Sequence, residues 1–349
     1  MSKIHPTILT LIAGLSGGIF FNYLSMPLPW VLGSIFGVIC LTRTNLPSAK
    51  FPRKYLNVAR VIIGLAIGSQ FSPDMLDDLG AYATSLSFIP IYILTVTGAG
   101  WIYFHYLMKL DPRTSFLCST PGGIAELVLV GEDIKANVPQ LALIQGIRIL
   151  IVVYTLPFLA GHMKDMDVGA TKQFMPSIVE STPLAIILLA LIGMIGWWSF
   201  SKLRLPGSPI IGPMIFSAAL SISGLLPQEP PDELFKVAQL LLGTSIGCFF
   251  IGYSLSQMFI TALKSVGFLI VLFSLTGACA WAVNQITGFS FLSVLLAYAP
   301  GGQAETSIIA IVLGENTGYV ALHHLIRLFI IVGLIPIFAR WVWQKTQQV

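Results

Sequence analysis

Two stretches of this chain bring together residue types that could do chemistry in an apolar setting. The first is Ser119-Thr120-Pro121-Gly122-Gly123-Ile124-Ala125-Glu126, followed by Asn137 and Arg148. The second is Tyr298-Ala299-Pro300-Gly301-Gly302-Gln303-Ala304-Glu305, followed at the same distances by Asn316 and Arg327. A Pro-Gly-Gly break beside a carboxylate is unsuited to a lipid-facing helix. Irregular backbone and charge are tolerated at membrane depth only where they face protein or a water-filled cavity. The pair therefore marks either a solute site or a structural hinge.

The chemistry follows from the residue types. If a helix begins at each break, Ser119 or Thr120 can cap the first one, and Pro121 suits its first helical position. The amides of Gly122 and Gly123 are then free donors at the positive end of a helix dipole, a place that favours an anion. The second copy has Ala299 before its proline and loses the side-chain cap. Burial raises a carboxylate pKa, so Glu126 or Glu305 could take up a coupling proton. Arg148 and Arg327 could pair with those glutamates as structure, or bind an anionic substrate. Asn137 and Asn316 could cap the following helix or line the site. The expected substrate-binding set is Pro121, Gly122, Gly123, Glu126, Asn137, Arg148, Pro300, Gly301, Gly302, Glu305, Asn316 and Arg327. The expected proton-coupling set is Glu126, Glu305 and His324.

His324 aligns with Gln145 in the repeat, and His323 adjoins it. Neighbouring histidines point to different helix faces and no Asp or Cys ligand accompanies them, so no metal is expected. Cys40, Cys118, Cys248 and Cys279 stand isolated in apolar runs, without metal or redox spacing. His5, His105 and His162 lie near segment ends, as interfacial residues do, and Arg60 either snorkels or lines the cavity. Trp197, Trp198, Trp341 and Trp343 fit an interfacial aromatic belt. No phosphate loop, dinucleotide fingerprint or nucleophile elbow is present, and no cofactor is expected.

The elements that must position these residues are apolar. Of the 349 residues, 55% are hydrophobic and 10% charged, with mean hydropathy +0.85 and net charge +4. Soluble domains carry roughly a quarter charged residues. The composition implies an integral membrane protein with a lipid bilayer as its partner, and the scattered basic residues exclude a nucleic-acid patch. Lys3 and the apolar run after it resemble a signal peptide. That run lacks an A-x-A-type site and has a counterpart in mid-chain, so it is expected to remain as the first span.

One ungapped offset of 179 residues superposes the two halves. It matches Gly14, Gly17, Pro27, Gly33, Gly64 and Gly68 with Gly193, Gly196, Pro206, Gly212, Gly243 and Gly247, and Pro157 with Pro336. The expected division is a first repeat over 1–165, a linker over 166–182 and a second repeat over 183–349. Apolar segments run 8–24, 28–42, 55–71, 82–108, 115–131 and 138–160, then 183–200, 208–224, 234–252, 260–283, 291–313 and 320–342. Interruptions at matching positions of two halves point to a binding site.

Loop charges change sign between the halves. The 43–54 loop is basic (Arg43, Lys50, Arg53, Lys54), whereas its counterpart carries Glu229, Asp232 and Glu233 against Lys236. The loop after segment one is uncharged in the first half and holds Lys202 and Arg204 in the second. If the fifth segment enters and leaves on one side, Lys3, Lys109, Arg113, Lys135, Lys264, Arg340 and Lys345 join the basic loops on the cytoplasmic face. Asp74, Asp77, Asp78, Asp165, Asp167 and Glu315 then fall outside with the acidic loop. Twelve full crossings would scatter them. The expected fold is all-α and polytopic, with two inverted-topology repeats. Each has about five crossings plus one broken or re-entrant segment, about 10–12 membrane segments in all, and both termini are cytoplasmic.

Through Leu28-Pro29-Trp30-Val31-Leu32-Gly33 and the paired Pro-Gly-Gly-Ile-Ala-Glu and Pro-Gly-Gly-Gln-Ala-Glu stretches, the chain resembles the AbrB-type duplicated bacterial membrane proteins. These are distinct from the small DNA-binding regulator of the same name. The resemblance implies a multi-pass protein of the bacterial inner membrane, linked to regulation of gene expression. That family has also carried an ammonia monooxygenase label. An oxygen-activating copper or iron site needs convergent His or carboxylate ligands, and none are seen here, so no enzyme activity is expected. The expected function is secondary transport of a small solute or ion, with an anionic solute favoured by the arginines and helix N-termini. A homodimer is possible on this reading. The alternative is a non-transporting membrane regulator or sensor that acts through a partner.

Overall fold

A computed structural model describes residues 5–44, 51–122, 124–163, 175–205 and 207–343, without the side chains of Leu76, Ala125, Glu126, Leu129 and Arg340. Lys3, Lys50, Gly123, Asp165, Asp167, Pro206 and Lys345, with the side chains of Glu126 and Arg340, lie outside the described residues. Every regular element among the described residues is a helix.

In the first half the α-helices are α1 (Pro6–Tyr23), α2 (Pro29–Leu41), α3 (Arg53–Gly68), α4 (Leu79–Ser87), α5 (Ile89–Ile102), α6 (Pro112–Ser119), α7 (Ile124–Asp133) and α8 (Val138–Met163). The second half supplies α9 (Pro183–Lys202), α10 (Ser208–Ile222), α11 (Asp232–Gly247), α12 (Leu255–Thr287), α13 (Phe291–Tyr298), α14 (Gln303–Val312) and α15 (Thr317–Trp343).

Several boundaries follow from local chemistry. Asp111 caps α6 by accepting from the amides of Arg113 and Thr114, and its repeat mate Ser290 caps α13 by accepting from Ser293 N. Ser254 and Gln257 close a capping box on α12, which stops at Gly288 with φ +76.

Among the described residues, seven helices or helical runs are long and apolar enough to cross a membrane: Pro6–Tyr23, Leu79–Leu107, Val138–Met163, Pro183–Lys202, Asp232–Phe250, Leu255–Thr287 and Thr317–Trp343. Their outer faces are apolar too. Ile8, Ile12 and Ile19 of α1, Leu184 and Ile187 of α9, and Phe259, Leu263 and Ile270 of α12 are all exposed. Lipid rather than water suits such a surface. The second apolar segment of each half is shorter. With 13 residues in α2 and 15 in α10, a rise of about 1.5 Å per residue gives roughly 20 Å, against a hydrocarbon core of about 30 Å.

Packing divides the chain into two compact units, each drawing on both sequence halves. One comprises Met1–Asp77, Val153–Gly252 and Ser307–Gly318. Its helices meet at glycines. A Cβ on Gly33 would collide with Gly17 O, and one on Gly212 with Gly196 O. Contacts between halves repeat in the same way: Gly243 sits on Val31 O and Gly64 on Ile210 O, each too close to admit a Cβ. No side chain fits there. Bare backbone on both sides is what allows these helices to approach so closely.

The other unit comprises Asp78–Val152, Tyr253–Thr306 and Tyr319–Val349, and it holds both breaks. In it α5 packs on α6 and α12 on α13. Gly100 is pressed against Ser119 and Phe268, Tyr103 Oη donates to Lys264 O (2.6 Å), and Tyr92 Oη bonds Thr276 Oγ1 (2.9 Å).

Candidate functional site

Each break separates a short helix that ends from a short helix that begins. The residue before a proline is driven out of the α region. Thr120 accordingly has ψ 127 and Ala299 has ψ 142, so α6 and α13 stop there. The next helices start only at Ile124 and Gln303. This corrects the expectation that Pro121 opens a helix capped by Ser119 or Thr120. Ser119 Oγ and Thr120 Oγ1 both donate back to Phe116 O, at 2.8 and 2.9 Å, and so belong to the end of α6. The Gly122 amide is not free either, since it donates to Thr120 O (2.9 Å).

The helix that returns from each break carries its arginine. Arg148 of α8 donates from Nη1 to Thr120 O (3.0 Å) and from Nη2 to Gly122 O (3.1 Å). Arg327 of α15 donates from Nη1 to Ala299 O (2.7 Å) and from Nη2 to Gly301 O (2.9 Å). The four carbonyls correspond under the 179-residue offset. A helix that stops in an apolar interior exposes carbonyls with no water to receive them. The planar guanidinium fork satisfies two at once and opposes the negative end of the helix dipole. Both arginines are buried. Each fork is spent on backbone carbonyls; the side chain of Glu126, which the ion-pair reading would match with Arg148, lies outside the described residues.

Glu305 is buried in the first turn of α14 and folds back over the break. A Cβ on Gly302 would collide with Glu305 Oε2. The protein's own carboxylate thus lies at the helix N-terminus where an anionic ligand was expected. Glu126 occupies the matching position of α7. Pro121, Pro300 and Gly301 are buried, while Gly122 and Gly302 are half-buried. Asn137 caps α8, its Oδ1 accepting from Gln140 N (3.2 Å), and its own amide donates to Thr114 Oγ1 (2.8 Å). Asn316 immediately precedes α15.

Each returning helix also touches the other copy's break. Ile331 of α15 would lie 3.1 Å from a Cβ on Gly122, and Val152 of α8 would lie 3.6 Å from one on Gly301. Residues 152 and 331 are repeat mates. The tertiary structure therefore gathers Gly122, Arg148, Gly301, Arg327 and Glu305 at one junction of α8 and α15.

The copies differ beside the arginine. In the first, Gln145 Nε2 donates to Leu117, Cys118 and Thr120 O, at 2.8, 3.2 and 3.3 Å. In the second, His324 bridges Arg327 and α13. Its Nδ1 is 2.6 Å from Arg327 Nη2, and its Nε2 is 3.0 Å from Leu296 O and 2.9 Å from Thr306 Oγ1. A guanidinium only donates, so Nδ1 accepts and Nε2 carries the hydrogen.

His323 takes the opposite tautomer. Its Nδ1 faces Tyr319 O (2.8 Å) and its Nε2 accepts from Ser85 Oγ (2.7 Å), while Tyr319 Oη touches the same hydroxyl. Tyr298 Oη donates to Ser85 O (2.6 Å). Sequence reasoning missed Ser85, Thr306 and these tyrosines. The available signal was asymmetry in the repeat: Tyr298 stands opposite Ser119, and His323 opposite Ile144. Among the described residues no cluster of three His, Cys, Asp or Glu side chains could hold a metal.

The family description "Transition state regulatory protein AbrB" matches residues 2–71 and 30–343. The chain belongs to the AbrB family. It is 25% identical over 350 residues to a Bacillus subtilis (strain 168) protein named "Uncharacterized protein YhjN", covering 93% of this chain and 90% of that one. It is 26% identical over 322 residues to the Escherichia coli (strain K12) protein named "Putative regulator AbrB", covering 90% and 88%. The family resemblance read from the paired Pro-Gly-Gly stretches is confirmed. These relatives' names denote a regulator or leave activity open, and neither denotes an enzyme.

Proposed function

We propose that this AbrB-family protein is a secondary transporter of a small solute, with its site at the junction of the two Pro-Gly-Gly breaks. The carrying observation is that both breaks are clamped by a buried arginine and meet the opposite copy's returning helix. Half-helices that end at matching depth in two copies are a recurrent way to build a solute site. On this reading the halves insert with opposite topology in a bacterial inner membrane, both termini are cytoplasmic, and one set of segments moves against the other.

The charge arrangement refines the expected solute. Both guanidinium forks are engaged by carbonyls, and Glu305 lies at its own helix N-terminus. The arginines therefore serve to hold the breaks, and a fully ionised anion gains less from them than the sequence suggests. Glu305 is the group best placed to exchange a coupling proton, because it lies over backbone that moves if the break moves. His324, locked against Arg327, acts as a positioning residue.

The test is flux through the full chain in proteoliposomes under an imposed pH gradient, over a panel of small organic acids, hydroxy acids, amines and inorganic ions. Gradient-driven uptake of at least one solute, uncoupled by Glu305→Gln and abolished by Arg148→Ala, is expected. A folded protein that moves nothing in the panel, yet retains a stable protein partner in pull-downs, would sink transport in favour of the regulator that the E. coli relative's name suggests.

A further inference from the structure

We propose that the first break is a binding position for one hydroxyl group, supplied by a solute or by an internal water, and that at the second break His324 and Arg327 fill the equivalent position themselves. The inference rests on the breaks being the site. Its observation is independent of transport: among the described residues, Gln145 Oε1 and Arg148 Nε are buried with no hydrogen-bond partner. Gln145 is 0% exposed and Arg148 4%.

The two atoms are chemically complementary to a hydroxyl. Gln145 faces three backbone carbonyls with its other end, so that end must be the amide nitrogen and the orphan must be the acceptor oxygen. Arg148 Nε–H is a charged donor. The residues are three apart on α8, hence on one helix face, and both reach Thr120 O. A hydroxyl oxygen can accept from Nε–H while its hydrogen goes to Oε1. A carboxylate offers nothing to Oε1, and an ammonium offers nothing to Nε–H. Leaving both atoms dry is costly, more so for the charged donor.

The second break shows what a closed version looks like. His324 stands where Gln145 does, donates to Leu296 O as Gln145 donates to Leu117 O, and uses its remaining nitrogen to accept from Arg327. The acceptor that the first copy leaves unused is consumed in the second by the arginine itself.

The test uses density maps of the full chain in lipid nanodiscs, alone and with glycolate or acetate, which differ by one hydroxyl. An oxygen between Gln145 Oε1 and Arg148 Nε is expected. If glycolate extends or displaces it and acetate does not, a solute hydroxyl is the source; if neither changes it, water is. Gln145→His should pair the side chain with Arg148, remove the oxygen and weaken the glycolate affinity read from thermal shifts at least about tenfold. His324→Gln should create a second oxygen at the sealed break. An empty position in the wild type, or an unchanged one in Gln145→His, overturns the proposal. Absence of flux with the oxygen present overturns transport and leaves this inference standing; flux without the oxygen does the reverse.

Discussion

The two breaks share a scaffold and differ in how completely it is satisfied. At each, an arginine from the returning helix holds two carbonyls left by a terminating helix. At the first, the neighbour is a glutamine that spends one end on the backbone and leaves its oxygen unpaired. At the second, the neighbour is a histidine that closes on the arginine, with Thr306 completing the ring of contacts. The part that keeps buried backbone satisfied is thus the same at both breaks, while the adjoining position differs. A membrane interior penalises an orphaned carbonyl by several kcal/mol, so the fork has few substitutes. The position beside it is freer to change.

This comparison can be broken most directly at the arginines. Arg327→Ala strips partners from Ala299 O, Gly301 O and His324 Nδ1 together, and should destabilise by about 3–5 kcal/mol. Arg148→Ala takes one donor from Gly122 O and one from Thr120 O, which keeps the Gly122 amide and Gln145 Nε2, and it relieves its own orphaned Nε, so its loss should be smaller, about 2–3 kcal/mol. Lysine at either position should recover less than half, because a point charge cannot span both carbonyls. Denaturant unfolding in detergent ranks these variants, and equal losses at the two sites would contradict the sealed-versus-open contrast.

A second separation lies at the glycines. A Cβ on Gly301 would come within 2.7 Å of Thr306 Cγ2, whereas one on Gly122 finds its nearest neighbour, Ile331 Cγ2, at 3.1 Å. Gly301→Ala should therefore cost about 1–3 kcal/mol, and Gly122→Ala less than about 1 kcal/mol. Thermal midpoints of the two variants measure the difference, and a reversed order would show the first break to be the tighter one.

The smallest effect should be shared. Asp111→Ala and Ser290→Ala each remove a helix cap just ahead of a break, and each should cost about 1 kcal/mol. If one proves silent, the scaffold is less alike than its hydrogen bonds indicate. Hydrogen exchange in the first turns of α6 and α13 reports this locally.

Much of this arrangement was legible before any coordinates. Proline disfavours a helical residue ahead of it, yet Pro157, Pro213 and Pro336 lie inside helices, so the stops after Ser119 and Tyr298 follow from Pro121 and Pro300 only together with the glycine pairs behind them. The restart is less direct: Pro121 can begin a helix, yet the extended residue before it and the Gly122 turn push the start to Ile124. The destination of the arginines could not be read. Sequence offers a buried cation a carboxylate as the obvious partner, and only the path of the chain shows that nearby carbonyls had greater need.

The sequence by itself determined that the chain is apolar, helical and broken twice at positions 179 residues apart, because residue spacing and backbone preference are local properties. The tertiary structure decided which groups satisfy the breaks, that α8 and α15 carry each copy's arginine to its own break and a branched side chain to the other's, and that Gln145 and His324 resolve one position differently. Those outcomes depend on which unpaired polar atoms come within hydrogen-bond reach of one another when distant segments pack. No spacing along the chain encodes that.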